Sequence, residues 1–184
     1  MPPQTPSSPL EPIFSEIKQA MEASLIYAAV SMALALPDIC SALEFPPGHS
    51  RFRKISERYQ AWFNTYAAPK FGTFDSEDCW ALRGGISHNA TLSGHPKNKR
   101  GRLYIMLPNN GFVMDECLVT NCGPNGDINA LQMYAPNLCA KLIKSAEEWW
   151  ALKKTDPTVL ENAPNLLRYR PEGEGFFAGI PLIA

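Results

Sequence analysis

Residues 79–92 read CWALRGGISHNATL. Cys79, Leu82 and Ile86 stand three and four apart, which is the spacing of one helical face. Two adjacent glycines, Gly84 and Gly85, then occupy positions where a helix prefers almost any other residue. Each costs about 1 kcal/mol relative to alanine in a helix interior. On either side stand Arg83 and His88. Arginine offers a rigid fork of donors and a permanent charge matched to phosphate oxygens. Histidine gives or takes a proton near neutral pH. In a regular helix, residues five apart are rotated by about 140° and displaced by about 7.5 Å, so the two side chains do not share a face. The glycine pair loosens that constraint. A local π-bulge would swing the i+5 residue toward the i position. Alternatively, the glycines admit the close approach of a second backbone. The plainer reading pairs Arg83 with Asp78 or Glu77 and lets His88 cap a helix end.

Upstream of this stretch, residues 1–9 are rich in Pro and Ser and read as a flexible tail. From Leu10, apolar residues recur at Ile13, Phe14, Ile17, Met21, Leu25, Ala28, Met32 and Leu36, which predicts one long helix. Its second half is apolar nearly all round, as expected of a central helix. Pro37 and Asp38 are expected to end it, with Pro37 and a capping Asp38 opening a short helix over DICSALE. A carboxylate pair of Asp38 with Glu44 is the alternative use of those residues. FPPGHS reads as a loop, and Ser50 as the cap of a helix over about 51–67. Phe52, Ile55, Tyr59, Trp62, Phe63 and Tyr66 form its core-facing stripe. APKFGTFDSED turns the chain, and Ser76 or Asp75 caps the helix that carries Arg83.

Downstream the character changes. SGHPKNKRGR (93–102) is a polar, basic loop, and LYIML (103–107) reads as a strand. PNNG marks a turn, FVMDECLVT (112–120) a second strand, and NCGPNGD another turn. INALQMY (128–134) is read as a third strand because Pro136 would cost about 3 kcal/mol inside a helix. At a first turn the same proline opens a helix over about 136–154, with Leu138, Leu142, Ala146 and Trp149 facing inward. The proline-rich remainder, about 155–184, is expected to wrap the surface irregularly and to pack Leu166, Phe176 and Phe177. The predicted order is three or four helices, a small antiparallel β-meander over about 103–134, and one more long helix.

Composition sets the outer bounds. The 184 residues suit a single domain, here 10–184 after the tail, and 45% of them are apolar. A net charge of −1 argues against coating nucleic acid by bulk charge. Any polyanion contact must come from a local patch. Lys97, Lys99, Arg100 and Arg102 are candidates for phosphate binding, against the plainer reading of a solvated loop. Five cysteines without a C-x2-C pair point to a reducing interior. Cys117 and Cys122 with Cys139 or His95 make a poor zinc spacing, so buried free thiols are expected, with no metal and no cofactor. The apolar run over 24–36 has 13 residues, too short to span a bilayer, and a cytoplasmic protein is the expectation. P-loop, GxGxxG, HExxH and GxSxG patterns are absent from the sequence.

Arg83, then GGIS, then His88 and the polar Asn89 resemble the signature of the HEPN superfamily, in which an arginine precedes a histidine by four to six residues on a late helix of an α-bundle. The apolar approach WAL, the upstream RFRKISERYQAWFNTY and the LPDIC after the first helix are also similar to members with a small β-insert. The resemblance spans about residues 10–153. It implies a mainly α, HEPN-like bundle with the antiparallel β-meander inserted before the last long helix. It also implies a homodimer with a composite site and metal-independent endoribonuclease activity in a toxin–antitoxin or phage-defence setting, with RNA and an antitoxin or defence protein as partners. By this carry-over His88 is the base or proton shuttle, Arg83 holds the scissile phosphate, Asn89 orients the phosphate or the imidazole, and Ser87 is a lesser contact. Active members often carry a polar residue directly after the arginine, where this chain has Gly84. A tyrosine two residues after the histidine, modified in one subgroup, is here Ala90. Inactive members serve as binding modules for RNA, a nucleotide or a protein.

Overall fold

The computed structural model describes residues 8–45, 54–92, 102–108, 111–119, 130–167, 169–170 and 182–183, with backbone alone for Arg102, Val119 and the positions beyond 167. It is mainly helical with a small mixed sheet. The helices are α1 (Glu11–Glu22), α2 (Ile26–Leu43), α3 (Ile55–Trp62), α4 (Ser76–Gly84), α5 (Ala135–Lys153) and α6 (Pro157–Asn162). The strands are β1 (Arg102–Met106), β2 (Cys117–Val119) and β3 (Ala130–Tyr134), with a separate two-residue pair, β4 (Tyr169–Arg170) and β5 (Leu182–Ile183).

The first predicted helix divides where the sequence carries no glycine or proline. Ser24 adopts a left-handed conformation (φ 59°). The Leu25 N–H reaches back to the Ala20 carbonyl at 2.8 Å and the Ser24 N–H to Met21 at 3.0 Å, a Schellman termination. The chain then doubles back and α2 packs on α1. The break expected at Pro37 does not occur, and α2 runs through it. A proline inside a helix costs about 3 kcal/mol. Leu34, Leu36, Cys40 and Leu43 are all buried on the same helix, and each fully buried leucine returns about 1.5–3 kcal/mol. Contacts with α1, α3, α4, α5 and α6 make α2 the central element. By length and composition α2 also meets the minimum for crossing a membrane, but half of it is buried among the other helices.

α3 is shorter than expected and passes into a π-turn, Phe63–Ala67, and a 3-10 turn, Ala68–Lys70. Pro69 has no N–H for the carbonyl four residues back, so a regular helix cannot continue there. Tyr59, Trp62 and Phe63 are buried as the stripe predicts, while Ile55 is exposed. Ser50 and Phe52 lie outside the described residues. α5 begins with Pro136 in its first turn and buries Leu138, Leu142, Ala146 and Trp149, as the sequence predicts. In the C-terminal region the expectation of an irregular wrap missed α6. Asp156 caps it by accepting from the Thr158 and Val159 N–H groups, and Pro157 occupies its first turn. The Asn162 amide then donates to the Leu43 and Phe45 carbonyls at the end of α2. Leu166 packs on the core, and Phe176 and Phe177 lie outside the described residues.

The sheet corrects the meander. Its order is β1-β3-β2, with β1 parallel and β2 antiparallel to β3. β3, with Ala130, Leu131 and Met133 buried, takes the middle, and Leu103 of β1 stands in register beside Leu131. The second strand is three residues rather than nine because Asp115 and Glu116 are drawn into other bonds. Glu116 adopts φ 53°, and its carboxylate accepts from the Gly72 N–H at 2.5 Å, the Thr73 N–H at 2.8 Å and the Lys141 ammonium. Asp115 accepts from the Tyr134 N–H at 3.0 Å, the Asn137 amide at 2.9 Å and Lys141 at 3.1 Å. The two carboxylates thereby tie the segment before α4 to the start of α5.

Burial alone would raise the Asp115 and Glu116 carboxyls, but their N–H and ammonium donors outweigh it and hold both below the ordinary carboxylate range. Burial alone would lower the Lys141 ammonium, and the same two carboxylates outweigh that and raise it. Lowered carboxyls contribute stability that is present above their unfolded values and lost as pH falls through the folded ones. The raised lysine contributes below its unfolded value and loses that contribution at high pH. Glu116→Gln is therefore expected to lower stability by about 2 kcal/mol at neutral pH. Urea titrations of both proteins should show that difference shrinking as the pH falls through the lowered range of Glu116, below the ordinary glutamate value, where the wild-type carboxyl itself takes up a proton.

Candidate functional site

α4 starts on a reciprocal cap. The Asp75 carboxylate accepts from the Glu77 and Asp78 N–H groups at 2.9 Å each, and the Asp78 carboxylate accepts from the Asp75 N–H at 3.3 Å. Cys79, Leu82 and Ile86 are buried, in agreement with the helical face read from the sequence. This turns Arg83 toward α2 rather than toward its own helix start. Its Nη2 donates to Asp38 Oδ2 at 2.8 Å, and Arg58 Nη2 of α3 donates to Asp38 Oδ1 at 2.7 Å. The expected partners, Asp78 or Glu77, are thus replaced by a carboxylate from another helix. The Arg83 guanidinium carbon also lies 5.1 Å from the centroid of the Trp80 ring, a cation–π contact. Arg83 keeps 23% of its side chain exposed, so it is anchored without being sealed.

The two acidic residues at the end of α2 serve different partners. Asp38 holds the arginines. Glu44 accepts from the Trp149 indole at 2.6 Å and pairs with Lys153 at 3.4 Å. Asp38 is not a cap, since the helix it was expected to start is the last third of α2. Behind the cluster, the Tyr59 hydroxyl donates to the Leu34 carbonyl at 2.8 Å and lies 3.1 Å from Cys79 Sγ. Burial raises the Tyr59 hydroxyl well above its ordinary value and pushes the Cys79 thiol up to about 12. Both groups are neutral at physiological pH, and Cys79 is a packing residue rather than a nucleophile.

Gly84 is still helical (φ −64°, ψ −44°), and the next five residues, Gly85–Asn89, form a π-turn. The Ala90 N–H bonds to the Gly85 carbonyl, i to i+5, and Ala90 itself is left-handed (φ 50°). This is the bulge that the glycine pair made available. The other reading, close approach of a second backbone, does not hold at Gly84, where an added Cβ meets nothing within 4 Å. The turn is held from outside by the Tyr27 hydroxyl, which donates to the Ile86 carbonyl at 2.9 Å. Ser87, His88 and Asn89 are exposed on it. Among the described residues, the His88 side chain has no hydrogen-bond or ion-pair partner.

The structure therefore gathers Arg83 with Asp38 and Arg58, and sets His88, Ser87 and Asn89 on the turn that follows. It forms no direct bond between Arg83 and His88. Lys97, Lys99 and Arg100 lie outside the described residues, and Arg102 opens β1. Sequence reasoning missed Arg58, and gave Asp38 a capping role or a Glu44 partner instead of the two arginines. The arginine-rich sequence RFRKISER is a visible signal, but pairing Arg58 with Asp38 requires knowing that Pro37 does not end α2. Among the described residues, no group of three or more His, Cys, Asp or Glu side chains gathers as a metal would need. Cys117 Sγ lies 3.5 Å from the Asp115 carbonyl, while Cys122 and His95 are outside the described residues.

Two stability measurements follow from this geometry. Asp38→Asn removes the charge that compensates two partly buried guanidinium groups, and is expected to cost about 2 kcal/mol, between the surface and the buried limits for ion pairs. Gly84→Ala is expected to add roughly 0.5–1 kcal/mol, since the site is helical and sterically open. Thermal unfolding of both variants checks the opposite signs.

Comparison with protein-family models, with curated proteins and with solved structures finds no match to this chain.

Proposed function

We propose that the protein is a metal-independent endoribonuclease of the HEPN type. The observation that carries this reading is the π-turn Gly85–Asn89. It directly follows the arginine-bearing helix and leaves His88 exposed and unbonded, while Arg83 is held in place by Asp38 and Trp80. His88 would take the proton from an RNA 2′-hydroxyl. The resulting alkoxide attacks the adjacent phosphorus, the bond to the 5′-oxygen breaks to leave a 2′,3′-cyclic phosphate, and the departing oxygen takes a proton from water. Arg83 has further N–H groups for the charge that gathers on the phosphate oxygens. Two arginines share one aspartate, so the cluster keeps a net positive charge suited to an anion. Asn89 orients the phosphate or the imidazole, and Ser87 adds a contact. Lys97, Lys99, Arg100 and Arg102 would supply further phosphate contacts. In this reading two copies of the chain bring their motifs together as a homodimer in the cytoplasm, and the protein serves as a toxin or phage-defence effector with an antitoxin or defence protein as partner.

A second reading follows from the same ion pair. Asp38 takes up part of the charge of Arg83, and Gly84 stands where active HEPN proteins often have a polar side chain. Both features favour a non-catalytic HEPN-like module that binds RNA, a nucleotide or a protein.

Incubation of a mixed tRNA and mRNA pool with wild type and with His88→Ala, EDTA present, separates the two. The nuclease reading expects cleavage by the wild type and a loss of roughly 100-fold or more in the variant, the lower range for a general base. Equal cleavage by both ends the role of His88. RNA binding without cleavage by either moves the conclusion to the binding module.

A further inference from the structure

Beside the π-turn lies a cavity of about 220 Å³, lined by Ile26, Tyr27 and Val30 of α2, by Ile86 and Ala90–Leu92, and by Ile105 and Leu107 at β1. We propose that this cavity is the pocket for a single unstacked RNA base, next to the 2′-hydroxyl that His88 deprotonates. The inference rests on the nuclease reading above and specifies which part of the substrate that reading must hold.

Three features argue for a base. The first is size. Sites for drug-sized ligands run to roughly 300–1,000 Å³, so this cavity has room for one ring system and little more. The second is the wall. Tyr27 is 60% exposed, yet its hydroxyl is fixed to the Ile86 carbonyl, so the ring is a flat, presented and immobilised surface. Sequence-specific RNA recognition uses such aromatic faces on splayed-out bases. The third is position. Ala90 and Thr91, which line the cavity, follow His88 by two and three residues, so a base seated there belongs to a nucleotide beside the histidine. The rest of the lining is aliphatic apart from Thr91. Charge plays no part in this pocket, which leaves the phosphate to the neighbouring turn and to the arginine cluster.

Dinucleotide monophosphates methylated on the 2′-oxygen, and the same compounds with one base removed, provide the probe. Methylation blocks the attacking hydroxyl, so binding is read without any cleavage. The wild type is expected to bind the base-bearing compounds at least tenfold more tightly than the abasic ones. Tyr27→Ala should abolish that difference, because a stacked base contributes roughly a factor of ten. Tyr27→Phe keeps the ring but frees it from Ile86, and should keep a preference smaller than that of the wild type and larger than that of Tyr27→Ala. A wild type that binds both compounds equally, or not at all into the millimolar range, overturns the pocket. So does a Tyr27→Ala variant that keeps the preference. A Leu107→Lys variant that alters only the oligomeric state, with base preference unchanged, overturns it as well and makes the cavity a contact between copies. Base-dependent binding in a protein that cuts no RNA would leave the pocket standing and remove the nuclease. Cleavage indifferent to Tyr27 would do the reverse.

Discussion

Asp38 follows a proline on the central helix and receives one guanidinium on each carboxylate oxygen, Arg58 from α3 and Arg83 from α4. With 19% of its side chain exposed, it is too shielded to stand unpaired. The two arginines are likewise only about a quarter exposed. Each of the three charges is therefore tolerable because of the others, and three helices acquire a common reference point. Buried side chains such as Tyr59 and Leu82 pack α3 and α4 into the core, and a pair of charge-assisted bonds at 2.7 and 2.8 Å adds a directional constraint that apolar contact lacks. The position of Arg83, and of the turn that follows it, rests on this junction.

The junction also explains how a glycine-weakened helix end stays ordered. The glycine pair lowers the barrier to an i+5 turn, but does not by itself select one. Selection comes from both sides. Upstream, Arg83 is bound to Asp38 and lies against Trp80. Downstream, Tyr27 of α2 donates its hydroxyl to the Ile86 carbonyl. A π-turn leaves carbonyls that a regular helix would occupy, and a donor from a neighbouring element answers one of them. His88 is then exposed because Ile86, two residues earlier, is buried beneath it.

A second set of charges sets the other end of α4. Asp115 and Glu116 share Lys141 and also hold the backbone of Gly72, Thr73 and Tyr134. Through them the β-insert is bonded to the helical body, which is why the predicted second strand is largely spent on anchoring instead of pairing. Glu116 with positive φ, a conformation costly for a residue with a Cβ, shows that these bonds outweigh local backbone preference.

Local chemistry determined much that is legible in the sequence. The apolar periodicity of α1, α2, α4 and α5, the Asp75 cap, Pro136 at the start of α5 and the glycine-permitted π-turn all depend on neighbours within a few residues. Those preferences are summed along the chain and can be read from it. The pairing of Asp38 with Arg58 and Arg83, the passage of α2 through Pro37, the reversal at Ser24 and the parallel partnership of β1 with β3 were decided by tertiary structure alone. In each of these a local preference is overruled by burial or by a charge brought from 20 or more residues away. The candidate site divides along the same line. Arg83 and His88 stand out in the sequence because their residue types and the glycines between them are local facts. Their carboxylate anchor and the tyrosine that braces the turn come from α2, whose course past Pro37 is set by five packed neighbours rather than by its own residues.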